Sequence, residues 1–281
     1  MLAASVSESE LLTELQLAVE RDELSLLYQP KVTLADNRLV GVEALARWPH
    51  RTLGLICPSA FVPIAERYGL IDELTDWLLR RGLKQWAIWA EQGVRTNIAF
   101  NVSALSLRDV YFPDYLHRLC QVEGVPAHAV TIEVTEGATQ HIVRLLDTLT
   151  RFRLKGMGLA LDDFGTGYSS LLQLRQLPYT ELKVDRCFVS EAVRSRESRL
   201  IVKAVIDLAH GLGLAATAEG VEDSDTLALL AELGCDHAQG FFIASPMEGW
   251  QLVPWLMGGE GEGVVPIAAA RAGSKRGAAA A

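Results

Sequence analysis

Side chains that bind metals or transfer protons recur at the ends of apolar, strand-like runs along this 281-residue chain. Carboxylates are seldom buried unless they pair with a cation, so repeated placement of this kind indicates a shared site. Carboxyl ends of parallel barrel strands share one face, so these side chains are predicted to meet in one mouth. The pattern occurs seven times, at Glu43, Asn101, Glu133, Asp162 with Asp163, Lys183, Glu219 and Gln239.

The predicted site has the ligand chemistry of a hard divalent cation. Carboxylate and amide oxygens without a cluster of His or Cys suit Mg²⁺ or Mn²⁺ better than zinc. With Asp185 included, six carboxylates oppose the single cation Lys183, which leaves a formal charge near −5. An anionic phosphodiester would enter such a cavity only together with about two divalent cations, so substrate binding is expected to depend on metal.

The residue types alone leave several roles open. Asp163 taken by itself would equally well cap the glycine-containing loop that follows it, but the neighbouring acids favour metal binding. Lys183 and Asp185 lie on one strand face, where Lys183 is expected to orient water or stabilise developing charge rather than form only a structural ion pair. Glu219 is either a metal ligand or a general base. Arg47 is expected to bind a substrate phosphate, with a surface ion pair as the alternative.

The elements that must position these residues alternate between strand-like and helix-like patterns. Two strands, 24–32 and 38–48, flank a short turn at Asp36 and Asn37 and are predicted to be antiparallel. About eight strands separated by helices favour an α/β barrel over a doubly wound sheet. We therefore predict one TIM-like (β/α)8 barrel with an antiparallel first strand. The predicted helices span 8–20, 58–68, 71–92, 111–123, 139–155, 170–177, 195–212 and 223–233.

Composition limits the compartment and the partners. The chain has neither a long uncharged apolar span nor a signal peptide, which predicts a cytoplasmic protein without membrane association. Its four cysteines are far apart and match no local redox or zinc motif, so packing thiols are expected. The formal charge of −9 argues against binding to a nucleic acid polymer. Residues 1–9 are predicted to be flexible, 10–257 to form the folded domain and 258–281 to be a disordered low-complexity tail.

Nine motifs, in consistent order, make residues 10–257 resemble the EAL-domain phosphodiesterases of bacteria, which hydrolyse cyclic di-GMP. The family signature often reads EALLR, and Ala46 is a modest departure at a position not expected to touch metal. The motifs are YQPKV (28–32), EALAR (43–47), FVPIAE (61–66), NVSA (101–104), IEVTE (132–136), DDFGTGYSS (162–170), LKVD (182–185), AEGVE (218–222) and QGFF (239–242).

This resemblance implies a two-metal site that uses Mg²⁺ or Mn²⁺, inhibition by Ca²⁺, and hydrolysis to linear pGpG. It also implies a homodimer whose contact lies near the DDFGTGYSS loop. The implied first-metal ligands are Glu43, Asn101, Glu133 and Asp162; Asp162 would bridge to a second metal completed by Asp163 and Glu219. The implied remaining roles are water positioning by Lys183, Asp185 and Gln239, substrate contacts from Gln29, Arg47 and Gln239, and loop anchoring by Glu136 and Glu222.

Two functions of other kinds compete with hydrolysis. A catalytically idle receptor for the dinucleotide or for a protein partner would typically lack one of the acids, whereas every expected acid is present here. An enolase-like barrel would use Lys183 as a base beside a metal-bound carboxylate substrate. The nine ordered motifs favour the phosphodiesterase over both.

Overall fold

The computed structural model describes residues 7–136, 142–165 and 171–258. Eight strands close into a barrel in the order β1-β9-β8-β7-β6-β5-β4-β2, with β2 returning to β1. β1 is antiparallel to both of its neighbours, β2 and β9, and the other barrel pairings are parallel. The predicted barrel with an antiparallel first strand is thereby confirmed. The strands are β1 Ser25–Thr33, β2 Leu39–His50, β3 Gly54–Ile56, β4 Asn97–Asn101, β5 Val130–Thr135, β6 Gly158–Phe164, β7 Glu181–Val184, β8 Ala215–Ala218 and β9 His237–Gln239.

Helices cover the outside of the barrel and connect its parallel strands. In the described parts of the chain, no helix is both long enough and apolar enough to span a bilayer. The predicted helix starts at 139 and 170 lie outside the described residues. The helices are α1 Glu8–Glu20, α2 Pro58–Tyr68, α3 Ile71–Glu91, α4 Phe112–Glu123, α5 Ile142–Leu154, α6 Leu171–Gln176, α7 Arg186–Val189, α8 Arg196–Gly211, α9 Ser224–Glu232 and α10 Leu252–Leu256.

Local capping chemistry sets several helix ends. Ser7 accepts a hydrogen bond from the Glu10 amide and precedes α1, so the helix begins inside the segment predicted to be flexible. Residues 1–6 and 259–281, which hold the rest of that segment and the tail, lie outside the described residues. Ser195 and Asp223, at which two helices were predicted to begin, are N-caps that precede α8 and α9.

Helix α3 packs closely against the strand that carries Asn101. A Cβ added at Gly82 of α3 would lie 2.3 Å from Cε1 of Phe100 on β4, so only glycine fits this contact. Two tryptophans of α3 also serve packing: Trp86 donates to the Thr96 carbonyl at 2.6 Å and Trp89 to the Gly249 carbonyl at 2.7 Å. Both tryptophans are buried, so they belong to the packing of α3 rather than to a binding surface.

The short strand β3 was not predicted. It pairs antiparallel with the end of β2, with Trp48 opposite Ile56 and His50 opposite Gly54. At three residues, β3 is too short to show an alternating pattern of burial in the sequence. The four cysteines are free thiols, and they do not pair with one another.

Candidate metal and active site

Lys183 occupies the centre of the barrel mouth and contacts four acids from four different strands. Its side chain is 1% exposed, and burial of a lysine is sustained only by such pairing. The carboxylates raise the pKa of Lys183 well above its usual value, although burial alone would lower it. The distances from Nζ are 2.5 Å to Glu219 Oε1, 2.8 Å to Glu133 Oε2, 3.3 Å to Asp162 Oδ1 and 3.6 Å to Glu43 Oε2.

Two amide side chains hold the carboxylate of Glu43 from opposite sides. Asn101 Nδ2 donates to Oε1 at 2.6 Å, and Gln239 Nε2 donates to Oε2 at 2.7 Å. Gln239 also donates to Gln29 Oε1 at 3.1 Å. Burial raises the pKa of Glu43, but the charge of Lys183 and the two amide hydrogen bonds outweigh it and lower the pKa. Glu43 is therefore held as a carboxylate in a fixed orientation.

A second group of acids is crowded beside Lys183. Asp162, Asp163 and Glu219 each present one carboxylate oxygen within 4.8 Å of the others, an arrangement that could hold a metal ion. Burial and the charges of Asp162 and Glu43 raise the pKa of Glu219 to about 8, although Lys183 opposes them. The pKa of Glu133 is also raised, chiefly by burial. The single positive charge of Lys183 is therefore too small to keep all of these acids ionised.

The backbone turns at Asp163 so that consecutive acids reach the same site. Asp163 has a φ of 55°, in the left-handed region that non-glycine residues seldom occupy. Its amide donates to Asp162 Oδ1 at 2.9 Å, and the register of β6 with β7 shifts between Leu161 and Phe164. Adjacent side chains in a regular strand point to opposite faces. The turn at Asp163 breaks this alternation, so that Asp162 and Asp163 both face the barrel mouth.

Asp185 lies beside Asp163 and also begins a helix. Its Oδ1 accepts from the Cys187 amide at 2.8 Å as the N-cap of α7. Burial, the charge of Asp162 and a hydrogen bond with Asp185 raise the pKa of Asp163 to about 6. The pKa of Asp185 is lowered, because hydrogen bonds from Cys187 and Asp163 outweigh its burial. Of the two carboxyl groups, Asp163 is therefore the one that takes up a proton more readily.

The two predicted loop anchors differ in their contacts. Glu136 is buried, and its Oε2 accepts from the Gly165 amide at 3.1 Å, directly after β6. The next five residues of that loop, 166–170, lie outside the described residues. Glu222 is exposed and makes no hydrogen bond or ion pair with the described part of the chain, so its anchoring role stays a prediction.

Arg47 lies on β2, four residues after Glu43. It is half-buried, and Nη1 donates to the Ala46 carbonyl at 2.8 Å. Among residues 7–136, 142–165 and 171–258, no carboxylate lies within ion-pair distance of it, so the alternative of a surface ion pair does not hold there. The guanidinium keeps most of its donors for another partner.

Two cavities near the site share Leu45 in their linings. The larger, of about 510 Å³, is mostly apolar and reaches Asn101 and Glu133. The smaller, of about 230 Å³, is lined by Gln29, Arg186, Glu219, Gln239 and Phe241 among others. The smaller cavity also reaches Glu43, so the two cavities are adjacent along β2.

A set of polar residues deeper in the barrel was not predicted from the sequence. Lys31, Glu181 and Thr217 are buried and hydrogen-bonded to one another. Lys31 stands within the YQPKV motif and Glu181 two residues before Lys183, so their alternation with predicted site residues was a signal that could have placed them inside the barrel.

Comparison with known proteins agrees with this architecture. The EAL domain family model matches residues 12–246. The chain is 41% identical over 248 residues to the cyclic di-GMP phosphodiesterase PA2567 of Pseudomonas aeruginosa, covering 88% of this chain and 42% of that protein. It is 37% identical to the cyclic di-GMP phosphodiesterase RocR of the same organism, with 86% and 62% covered.

A solved structure of the PaMucR phosphodiesterase in complex with c-di-GMP superposes with a TM-score of 0.82 at 39% identity, covering 86% of this chain and 99% of that one. The chain spans less than two thirds of the length of both curated relatives. The family match, the identities and the barrel with its antiparallel first strand agree, and the chain belongs to the EAL domain family.

Proposed function

We propose that this chain is a metal-dependent phosphodiesterase that hydrolyses cyclic di-GMP to linear pGpG. The observation that carries the proposal is the ring of four carboxylates around the buried Lys183. It is supported by the relatives PA2567 and RocR, which are named cyclic di-GMP phosphodiesterases. Hydrolysis at this site requires the acids, the amides and the lysine to act together on one phosphodiester group of the substrate.

The donor set fits hard divalent cations, Mg²⁺ or Mn²⁺. Oxygen ligands without His or Cys suit these ions. Burial and, after it, neighbouring carboxylates raise the pKa values of Asp163 and Glu219, and a bound cation would stabilise their ionised forms. When bound, two such ions would polarise the phosphodiester and activate water. The proposed ligands are Glu43, Asn101, Glu133 and Asp162 for one ion, and Asp162, Asp163 and Glu219 for the other.

The remaining side chains orient the reacting groups. Lys183 fixes the directions of the carboxylates and supplies a permanent positive charge close to the phosphodiester. Asp185 and Gln239 position the attacking water, and acceptance of its proton is the alternative role of Glu219, in place of metal binding. Arg47 supplies donors to a phosphate oxygen of the substrate.

The two cavities suit a cyclic dinucleotide, which carries one base on each side of its phosphodiester ring. The cavities, of about 510 Å³ and about 230 Å³, adjoin at Leu45, which lines both. Gln29 and Gln239 line the smaller one and are proposed to contact the substrate there. A homodimer, inhibition by Ca²⁺ and cytoplasmic location stay predictions of the family resemblance and composition.

The direct test is turnover of cyclic di-GMP by the purified chain, with products separated chromatographically. We expect pGpG to form with Mg²⁺ or Mn²⁺, and no product with a chelator or with Asp162→Asn. Binding of cyclic di-GMP without turnover in either metal would reject the proposal in favour of an idle receptor. Turnover that persists in the chelator would reject the metal dependence.

A further inference from the structure

A second polar layer fills the barrel beneath the carboxylates. Lys31 Nζ lies 2.5 Å from Glu181 Oε1, and the two side chains are 8% and 10% exposed. Thr217 Oγ1 donates to the same Glu181 oxygen at 2.6 Å and lies 3.3 Å from His237 Nδ1. We call Lys31, Glu181, Thr217 and His237 the lower layer.

The ion pair of the lower layer crosses the barrel interior. Lys31 is on β1 and Glu181 is on β7, and two strands, β9 and β8, lie between them in the sheet. Backbone pairing therefore does not bring Lys31 and Glu181 together. The two strands are linked here by the side chains, which meet across the barrel interior. Thr217 on β8 and His237 on β9 extend the contacts to the intervening strands, so the lower layer joins four consecutive strands of the barrel wall.

Every member of the lower layer stands two residues from a site residue that lies on the same strand or, in the case of Glu219, directly after it. Residues two apart in a strand point to the same face, so both members of each couple face the barrel interior. A shift of one of these strands would move both members of its couple together. The couples are Lys31 with Gln29, Glu181 with Lys183, Thr217 with Glu219 and His237 with Gln239.

Stability alone does not account for a buried ion pair at this depth. Two charges lose their hydration when buried, and apolar residues of similar volume are often equally or more stabilising. The pair is nevertheless kept ionised. Burial raises the pKa of Glu181, but the charge and hydrogen bond of Lys31 and the hydrogen bond of Thr217 outweigh it and bring the pKa to about 2. An ion pair is stable only at a defined separation of its two charged groups, so it constrains the relative position of the strands that carry them. Apolar packing imposes no such constraint.

We propose that Lys31 and Glu181 are positioning residues for the hydrolysis, acting through the strands that carry Lys183, Glu219 and Gln239. Their ion pair sets the spacing of β1 and β7 across the barrel, and Thr217 fixes β8 relative to β7. No member of the lower layer lines either of the two cavities. This inference rests on the proposed function and adds to it the residues that hold one half of the site in register.

The experiment replaces the pair by apolar residues of similar size in the double variant K31M/E181L. Both partners are changed because removal of one would leave an unpaired buried charge. The matched control is T148V, an isosteric change of a buried threonine on helix α5, which carries none of the site residues. The measurements are kcat and KM for cyclic di-GMP with saturating Mg²⁺, and the melting temperature.

We expect the double variant to melt at or above the temperature of the unmodified chain. Its kcat should fall by about 10- to 100-fold, the cost of misplacing reacting groups, with KM changed by less than about 3-fold. T148V should keep its kcat within about 2-fold of the unmodified chain. A double variant whose kcat stays within about 2-fold of the unmodified chain would overturn the inference, and so would an equal loss of kcat in T148V.

A second variant keeps the test decisive if K31M/E181L does not fold. Thr217→Val removes one donor to Glu181 without leaving a charge unpaired, and it should lower kcat with unchanged KM. An unchanged kcat in T217V would contradict the role of the lower layer. If the unmodified chain does not hydrolyse cyclic di-GMP at all, the proposed function fails, which is a different result from an active chain that tolerates these substitutions.

Discussion

Lys183 and Glu133 form an ion pair in which Nζ lies 2.8 Å from Oε2 and each side chain is 1% exposed. Glu133 comes from β5 and Lys183 from β7, so the pair links two strands separated by β6. Three further carboxylates reach the same ammonium group. The site is therefore organised around one internal cation before any metal or substrate arrives.

Replacement of Lys183 by Met should strongly destabilise the metal-free chain. Several buried carboxylates would lose the ammonium group that they contact, and breaking a buried ion pair in this way costs about 3–5 kcal/mol in the free energy of unfolding. Urea denaturation with a chelator at pH 8 measures this loss. The control is Lys203→Met, which removes an exposed pair with Asp207 and should cost no more than about 0.5 kcal/mol. Equal unfolding free energies for the two variants would contradict the central role of Lys183.

Asp162→Asn should abolish hydrolysis while leaving the fold intact. The substitution removes a proposed bridging ligand, and we expect turnover to fall by about 100-fold or more. It also removes one of the crowded negative charges, so the unfolding free energy without metal should be unchanged or higher. Turnover and melting temperature are measured side by side, with exposed Asp207→Asn as the control. A large fall in melting temperature would identify Asp162 as a structural acid.

Metal binding should release protons and strengthen as the pH rises. The folded metal-free chain raises the pKa of Glu219 from 4.5 to about 8 and that of Asp163 from 3.8 to about 6. These groups are protonated in the folded chain where the unfolded chain has lost the proton, so their contribution to stability is present at low pH and is lost as the pH rises through about 6 to about 8.

Titration calorimetry of Mn²⁺ binding in buffers of different ionisation enthalpy counts the released protons. We expect release at pH 6.5 to exceed release at pH 8.5, with tighter binding at the higher pH. In Glu219→Gln the release should be smaller. Binding of Mn²⁺ with equal affinity and no proton release at both pH values would show that these two acids are not ligands.

Arg47→Ala should weaken substrate binding with little effect on the fold. The Arg47 side chain has no ion-pair partner in the described parts of the chain, so its removal leaves no buried charge unpaired. Loss of a charge-assisted hydrogen bond to phosphate should raise KM about 10- to 100-fold. Steady-state kinetics test this, with Arg51→Ala as the control because Arg51 is exposed and pairs with Glu23. An unchanged KM would exclude contact between Arg47 and the substrate.

Gly82→Ala and Gly211→Ala should change stability in opposite directions. A Cβ at Gly82 would lie 2.3 Å from Phe100, and overpacking of this kind costs about 1–3 kcal/mol. A Cβ at Gly211, in the last position of α8, would meet nothing within 4 Å, and alanine there should add about 0.5–1 kcal/mol. Urea denaturation compares the two variants. A tolerated Gly82→Ala would show that α3 can move away from β4.

The sequence predicted the barrel and the convergence of its strand ends because both follow from local patterns. Apolar runs that end in Glu43, Glu133 and Lys183 identify strands, and the rule that carboxyl ends share a face places these residues together. The antiparallel first pair followed from a short turn between two alternating runs. These inferences require no knowledge of long-range side-chain contacts.

The contacts inside the barrel could not be predicted in the same way. Lys31 and Glu181 are 150 residues apart in sequence and lie on strands that do not pair, so no local pattern relates them. The left-handed backbone at Asp163 depends on the register shift between β6 and β7. Glu222 carries the residue type expected of a loop anchor, but its side chain is exposed.

The direction of β1 has a practical consequence for experiments on this chain. Because Ser25 pairs with Arg47, the polypeptide enters the barrel at the end where the acids are gathered. In a barrel whose first strand is parallel, that entry would lie at the opposite end. A fluorescent reporter attached at the turn between α1 and β1 would therefore sit near the rim of the reactive cavity and could register ligand arrival directly.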